Sequence, residues 1–150
     1  MIWAINEEGL PGTGKVSQQE IKALLEFSSL SIGAYLEDRL VGFVICLPPN
    51  TEYGSLNYAW FNQRYDKFLY VDRIAVSVES QNQNIGSILY EHVKKQAEEM
   101  GVLVAAEVNI YPPNPGSMRF HDRHGFEQVG VLDHDEKSVA LFVYNSNEGK

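Results

Sequence analysis

Residues 74–89, which read IAVSVESQNQNIGSIL, decide the fold. The apolar stretch Phe68 to Val78 predicts a strand, and it ends in a turn of small and polar residues. From Ile85 to Met100 apolar residues recur at helical spacing, and Gly101 follows as the residue that ends the helix. The first turn of such a helix carries unpaired backbone N–H groups and the positive end of the helix dipole. It is therefore suited to bind an anion, although many turns of this kind bind nothing.

The sequence after this helix predicts a further strand, a short helix and a pair of strands. Val102 to Ile110 is almost continuously apolar, which is typical of a strand buried on both faces. A short helix from Ser117 to His124 ends at Gly125. The two closing strands are predicted at residues 126–132 and 138–144.

The sequence before residue 68 predicts a helix and a hairpin. Ser17 and Glu20 form a capping-box pattern, from which a helix runs to about Ser28. Strands at 32–37 and 40–47 flank a turn at Asp38 and Arg39, and residues 53–70 are predicted to be irregular. We therefore predict one α/β domain over residues 1–150 with a mixed sheet, hairpins at its edges, a central βαβ crossover and a frayed tail at about 145–150.

Composition excludes several classes of function. The net charge of −8 argues against a nucleic-acid binder, which would need clustered Lys and Arg, and it favours cationic or amine-bearing substrates. No apolar run approaches the length of a membrane helix and residues 1–8 lack the basic and apolar regions of a signal peptide, so we expect a cytoplasmic location. Cys46 is the only cysteine and lies in an apolar strand, which predicts a buried structural thiol. The four histidines lack the spacing of metal ligands, so no metal is expected.

Residues 9–15, GLPGTGK, fit the spacing of a phosphate-binding P-loop. However, Val16 stands where that loop needs a Ser or Thr hydroxyl to bind magnesium. Only Ile2 to Ile5 could supply the preceding strand, and Pro11 fits a surface loop better. A nucleotide hydrolase is therefore disfavoured.

Two sequence blocks carry a resemblance to a known family. Gln81, Asn84 and Gly86 fall on a Gln/Arg-x-x-Gly-x-Gly/Ala pattern, with Asn84 where the first Gly is usual. Residues 114–126, NPGSMRFHDRHGF, are similar to an Asn-x-x-x-x-x-Phe-Tyr-x-x-x-Gly-Phe block at the usual distance downstream. In both blocks the chain resembles the GCN5-related N-acetyltransferases (GNAT), over about half of its length from Tyr70 to Tyr144. The first pair of helices usual in that family is expected here as a single helix.

The resemblance implies acetyl-coenzyme A as cosubstrate. Asn84 can take the positive φ of a Gly, but its side chain leaves less room for phosphate. The pantetheine arm is expected on the backbone at Ala75 and Val76, and the pyrophosphate on the turn at 81–87. By resemblance, the candidate cofactor-binding residues are Ile74, Ala75, Val76, Gln81, Asn82, Gln83, Asn84, Ile85, Gly86, Ser87, Asn114, Ser117, Phe120 and His121.

The resemblance further implies direct transfer of an acetyl group to an amine, without a covalent enzyme intermediate. Three roles follow: Glu107 as the base, His121 as the acid in the position usual for Tyr, and the backbone N–H near Val76 as the donor to the carbonyl. Glu107 could equally be a paired carboxylate of the strand. For the protein as a whole, a CoA-binding module without catalysis is the rival interpretation. The acceptor is an amine of unknown identity, and a homodimer stays open.

Five aromatic residues precede the central strand: Tyr53, Tyr58, Trp60, Phe61 and Tyr65. Such a density is typical of core or lid packing. It also fits the wall of an acceptor pocket or a surface for self-association.

Overall fold

The predicted strand, turn and helix lie at the centre of the structure. The computed structural model describes residues 2–8, 17–52, 54–77, 80, 83–111, 115–134 and 137–145. Strand β3 (Phe68–Val76) leads to helix α4 (Ile85–Met100) and then to strand β4 (Leu103–Tyr111), which pairs in parallel with β3. The predicted βαβ unit is therefore confirmed.

The other elements complete one mixed sheet with helices on both faces. Within the described residues the six strands run in the order β1-β2-β3-β4-β6-β5, and every neighbouring pair except β3 and β4 is antiparallel. The hairpins β1–β2 and β5–β6 therefore form the two edges, as the sequence predicted. The remaining elements are α1 (Ile2–Glu8), α2 (Gln18–Phe27), β1 (Leu30–Leu36), β2 (Arg39–Leu47), α3 (Leu56–Arg64), α5 (Pro115–Arg123), β5 (Glu127–His134) and β6 (Lys137–Tyr144).

Local sequence signals set several of these boundaries. The capping box at Ser17 is formed, with Ser17 Oγ accepting from the Glu20 N–H at 3.1 Å and Glu20 Oε1 accepting from the Ser17 N–H at 3.1 Å. Gly101 ends α4 with φ 72°, in the left-handed region that favours glycine. The first hairpin turns at Glu37 and Asp38, one residue before the predicted position, because both central residues of this turn need a positive φ.

Two helices correct the sequence prediction. Helix α1 restores a pair of helices before β1, where one helix was expected and Ile2 to Ile5 was the only strand candidate. A helix of seven residues is too short to show a clear period, and tertiary burial of Ile5 and Asn6 stabilises it instead.

Helix α3 lies in the segment that was predicted to be irregular. Ser55 Oγ caps it by accepting from the Tyr58 N–H at 3.3 Å, and Tyr58 and Phe61 are buried. The period was hidden because Leu56, on the same helix, is 62% exposed and the polar residues do not gather on one face.

Apolar clusters cover both faces of the sheet. Helix α4 packs on one face over a cluster that includes Cys46, which is fully buried as predicted and whose thiol pKa burial raises. Helices α1, α2 and α3 lie on the other face, and their buried cluster comprises Ile5, Leu24, Leu40, Phe43, Ile45, Leu47, Tyr58, Phe61, Phe68, Tyr70, Ala75, Ala105, Val139, Leu141 and Val143. The apolar character of β4 on both faces matches its position between these clusters.

The aromatic residues of α3 pack into the structure, while Tyr53 lies outside the described residues. The Tyr58 ring centroid is 5.1 Å from that of Tyr70, and Phe61 is fully buried beside it. Trp60 lies against Gly130 of β5, where a Cβ would come within 2.6 Å of Trp60 Cζ2. Core packing therefore explains why Tyr58 and Phe61 are aromatic. Trp60 packs α3 against the edge hairpin β5–β6.

Candidate active site

The two central strands part in the middle of the sheet. The parallel pairing of β3 with β4 covers only residues 68–70 and 103–105 in the described chain. Beyond it, β3 stays paired with β2 up to Val76, and β4 stays paired with β6 up to Tyr111. The backbone edges that face each other beyond Tyr70 and Ala105 are therefore available to a ligand that binds as an added strand.

An irregularity of β3 places a buried ion pair beside this gap. The register with β2 shifts between Ile45 and Cys46, which leaves Asp72 as the extra residue on β3. Arg73 Nε donates to Asp72 Oδ2 at 2.6 Å, and Arg73 Nη1 donates to Asn6 Oδ1 at 3.0 Å. The network ties helix α1 to the central strand.

Glu107 lies on β4 just past the point where the strands separate. Tyr70, the last residue of β3 that pairs with β4, donates its hydroxyl to Glu107 Oε1 at 2.9 Å. Burial raises the pKa of Glu107 to about 8, with a smaller rise from Asp72, while the Tyr70 hydroxyl, the Asn57 amide and Arg73 act to lower it. A carboxyl with this pKa can exchange a proton near neutral pH, as a general base requires.

Helix α3 brings Asn57 to the same carboxyl. Two oxygen atoms here, Glu107 Oε2 and Asn57 Oδ1, are buried and have no hydrogen-bond partner among the described residues. Tyr58, next to Asn57, is held by its hydroxyl, which donates to the Pro48 carbonyl and accepts from the Thr51 N–H at 2.9 Å. The position of Asn57 is therefore fixed by buried contacts of its own helix.

The start of α4 is where the sequence predicts an anion site. Asn84 adopts the left-handed conformation with φ 62° and ψ 20°, as expected for a residue in a glycine position, and its side chain does not cap the helix. The first turn holds no acidic residue, and Gln83 and Asn84 are exposed. The first turn, with the N–H groups of Gly86 and Ser87, thus contains no carboxylate of its own that would compete with an anion. Gln81 and Asn82 lie outside the described residues.

Helix α5 packs against this helix start. A Cβ at Gly86 would lie 3.5 Å from Phe120 Cζ, and Ser87 Oγ is 3.0 Å from Nε2 of His124. The sequence-predicted residues Gly86, Ser87 and Phe120 are therefore neighbours in space. Asn114, which the second sequence block assigned to the cofactor, lies outside the described residues.

His121 is buried in the interface between α4 and α5. Its Nδ1 is 2.8 Å from the Ser117 carbonyl and its Nε2 is 2.7 Å from the Tyr90 hydroxyl. Because a carbonyl only accepts, Nδ1 carries the proton and Nε2 accepts from Tyr90. Burial lowers the pKa of His121, although the Ser117 carbonyl acts to raise it. Both ring nitrogens are thus engaged in a neutral ring.

Glu107 was predicted from the sequence, but its partners Tyr70 and Asn57 were not. Tyr70 stands opposite Ala105, two residues before Glu107, so the parallel register puts Tyr70 and Glu107 on one face of the sheet. That register is not visible in the sequence alone. Asn57 was missed because its segment was predicted to be irregular, although Ser55 followed three residues later by Tyr58 offered a helix-capping signal.

Together the two sequence blocks, the sheet order and the parting of the central strands point to an acyltransferase. The family model described as "Acetyltransferase (GNAT) family" matches residues 3–126. The chain belongs to this family of enzymes.

Individual relatives agree with this assignment. A protein of Drosophila melanogaster named "Probable N-acetyltransferase san" is 28% identical over 116 residues, which cover 77% of this chain. The matched region is 56% of that relative's length, so the chain spans little more than half of it.

Solved structures share the fold at low sequence identity. The ribosomal-protein-S18-alanine N-acetyltransferase of Escherichia coli superposes with a TM-score of 0.71 at 16% identity, over 94% of this chain and 83% of that chain. NAA60 of Arabidopsis thaliana, solved with a bisubstrate analogue, gives a TM-score of 0.72 at 19% identity, over 94% and 88%. A second Arabidopsis thaliana structure, which holds the bisubstrate analogue CoA-Ac-MVNAL, gives 0.70 at 16%, over 95% and 88%. At these identities the likeness establishes the mixed α/β fold alone.

The described residues include neither a cluster of candidate metal ligands nor a membrane-spanning helix. They contain no group of three or more His, Cys, Asp or Glu side chains placed to hold a metal ion. None of the helices in this part of the chain is long and apolar enough to cross a membrane.

Proposed function

We propose that this protein transfers the acetyl group of acetyl-CoA directly to the nitrogen of an amine. The observation that carries the proposal is the position of Glu107: a buried carboxyl with a raised pKa, in the gap between two strands that part. A buried carboxyl costs free energy unless it is paired, and here only one of its oxygens has a partner in the described chain. Such a group is better explained by chemistry than by stability.

Acetyl-CoA fits the gap and the adjoining helix start. The free backbone edge at Ile74, Ala75 and Val76 would hold the pantetheine arm, and the N–H groups of 85–87 would hold the pyrophosphate. Gln81, Asn82, Gln83, Asn84, Asn114, Ser117 and Phe120 would complete the cofactor site. Bound there, the cofactor supplies an acetyl thioester to the gap.

The chain's own groups would then carry out the transfer. Glu107, as a carboxylate, takes a proton from the acceptor ammonium, and the nitrogen lone pair forms a bond with the thioester carbonyl carbon. The backbone N–H near Val76 stabilises the negative charge that develops on the carbonyl oxygen. The C–S bond would then break, the nitrogen would release its second proton as the amide forms, and the departing thiolate would take up a proton to leave as the free thiol.

The acid that protonates the thiolate was predicted to be His121. An acid must carry an extra proton, whereas the His121 ring is neutral, buried and hydrogen-bonded at both nitrogens. We therefore propose that His121 has a positioning role, holding Ser117 and α5 against Tyr90 of α4. The acid role stays a prediction that one variant can test, as set out in the Discussion.

The named relatives support an amine as the acceptor. One is named as an N-acetyltransferase, and the solved relatives include a ribosomal-protein N-acetyltransferase and complexes with bisubstrate analogues. The net charge of −8 would favour a cationic acceptor and disfavour nucleic acid. A cytoplasmic location and a homodimer stay predictions.

Release of free CoA thiol tests the proposal directly. The purified protein would be incubated with acetyl-CoA and a panel of primary amines comprising polyamines, amino acids and peptides with free N-termini. We expect amine-dependent thiol release and an acetylated product of matching mass. Tight CoA binding with no turnover on any amine would support the rival, a CoA-binding module without catalysis.

A further inference from the structure

The polar cluster around Glu107 holds two hydrogen-bond acceptors that nothing in the described chain satisfies. They are Glu107 Oε2, from β4, and Asn57 Oδ1, from α3. More than nine in ten buried polar groups in proteins have a partner, and an unpaired acceptor costs free energy. Two such atoms in neighbouring side chains therefore need a common explanation.

The two side chains belong to one site. The Asn57 amide lies close enough to the Glu107 carboxyl to act on it, beside the hydrogen bond from Tyr70. Asn57 is also held in place, because the buried Tyr58 and Phe61 anchor its helix and the Ser55 side chain caps it. The cost of leaving these acceptors unpaired is therefore built into the fold.

A single group with several donors can satisfy both oxygens. A primary ammonium has three N–H bonds and no acceptor, and after it gives one proton to Glu107 it still has two N–H bonds and a lone pair. One N–H held by Asn57 would fix the rotation of the nitrogen and aim the lone pair at the thioester. The N-methyl derivative keeps a single N–H after the same step, so it can bond Asn57 only in the one rotation that its methyl group allows.

We propose that Asn57 is a specificity-determining residue that accepts an N–H of the acceptor, and that this selects primary amines over secondary amines. The proposal rests on the proposed acetyl transfer and on the paired position of Asn57 and Glu107. It gives helix α3, which follows β2 and precedes β3 in the chain, a direct part in acceptor recognition.

The test compares one primary amine with its N-methyl derivative. The primary amine would be the best acceptor found in the panel described above, and kcat/KM would be measured for both with wild type, Asn57→Ala and Asn57→Leu. Leu has the same branching and number of side-chain heavy atoms as Asn but no acceptor, so it guards against a cavity effect. Gln63→Ala is the matched control, because it removes an exposed amide from the same helix.

We expect wild type and Gln63→Ala to favour the primary amine by about 10-fold or more, as for a hydrogen bond to a charged donor. The Asn57 variants should lose about that factor on the primary amine and bring the two amines within about 3-fold, with the KM for acetyl-CoA unchanged. A purely structural role of Asn57 would lower activity on both amines equally.

Each other outcome overturns the inference in a distinguishable way. Equal rates of wild type with both amines, or full discrimination in a folded Asn57 variant, would remove Asn57 from acceptor recognition while leaving acetyl transfer intact. Absence of turnover by wild type with every amine would overturn the proposed function itself, and the inference with it. Wild type that uses both amines equally would already contradict the inference, so the test does not depend on the variants folding.

Discussion

The Tyr70 hydroxyl of β3 donates a hydrogen bond of 2.9 Å to Glu107 Oε1 of β4, across the point where the two central strands separate. This bond is formed with the carboxylate more favourably than with the neutral acid, so it lowers the Glu107 pKa against the larger effect of burial. In the proposed mechanism Tyr70 is thus a positioning residue that also adjusts the pKa of the base.

Replacing Tyr70 with Phe should move the pH dependence of the reaction upward. The substitution removes the hydroxyl that lowers the Glu107 pKa, so more alkaline conditions are needed to form the carboxylate. The measurement is kcat against pH at saturating acceptor. Tyr35→Phe is the control, since it removes an exposed hydroxyl on the edge strand β1, and its midpoint should stay at the wild-type value. A Tyr70→Phe midpoint at or below wild type would contradict this role.

Glu107→Gln should make the protein more resistant to unfolding at alkaline pH. The Glu107 pKa is raised from 4.5 to about 8 in the folded state, so the folded protein holds this proton more tightly than the unfolded chain. The stability from Glu107 is therefore full below about pH 4.5 and is lost progressively as the pH rises to about 8. Melting temperatures of both proteins between pH 5 and 9 check this, with the variant's advantage growing as the pH rises. An advantage that does not change with pH would show that the Glu107 pKa is unshifted.

The central part of the fold could be predicted from the sequence because the local signals agree there. The strand before Ile85, the helix to Met100 and the glycine that ends it each follow from short-range rules, and Asn84 adopts the positive φ expected of its position. Helices α1 and α3 could not be predicted in the same way. Each is stabilised by side chains buried against distant strands, and neither shows a regular apolar stripe.

In the candidate site too, a residue marked by a local signal could be predicted, and residues brought there by long-range packing could not. Glu107 could be found because a carboxylate in an apolar strand is unusual in itself. Tyr70 and Asn57 reach it through the strand register and through the packing of α3, and both are long-range properties. The neutral state of His121 depends on its burial, and its Nε2 is bonded by Tyr90, which lies 31 residues earlier in the chain.

Gly86→Val should weaken CoA binding at the start of α4. A Cβ at this position is in ordinary contact with Phe120, at 3.5 Å, so Gly86→Ala should fold and bind nearly as wild type. The branches of Val would press on Phe120 and crowd the approach to the first-turn N–H groups. Isothermal titration with CoA should show a loss of about 10-fold or more for Val, in a protein whose circular dichroism is unchanged. Equal affinity of a folded Gly86→Val protein would place the cofactor elsewhere.

His121→Phe should lower stability far more than it lowers kcat. The substitution leaves the buried Tyr90 hydroxyl without its partner, at a cost of about 1–3 kcal/mol. Adding Tyr90→Phe to this variant should recover part of the loss, because the unpaired hydroxyl is then gone as well. Chemical denaturation and kcat of the single and double variants check both points. A fall in kcat of about 100-fold or more in folded His121→Phe would instead establish His121 as the acid.

The pH profile of kcat for wild type and Glu107→Gln, at saturating acetyl-CoA and acceptor, tests the central claim most directly. If Glu107 is the base, wild-type kcat should fall about tenfold for each pH unit below the pKa that Glu107 has with both substrates bound, and level off above it. Glu107→Gln should be slower by about 10²-fold or more at pH 8 and should lose that limb, with its affinity for acetyl-CoA unchanged. A Glu107→Gln protein that keeps both the wild-type kcat and the wild-type pH profile would show that another group accepts the proton.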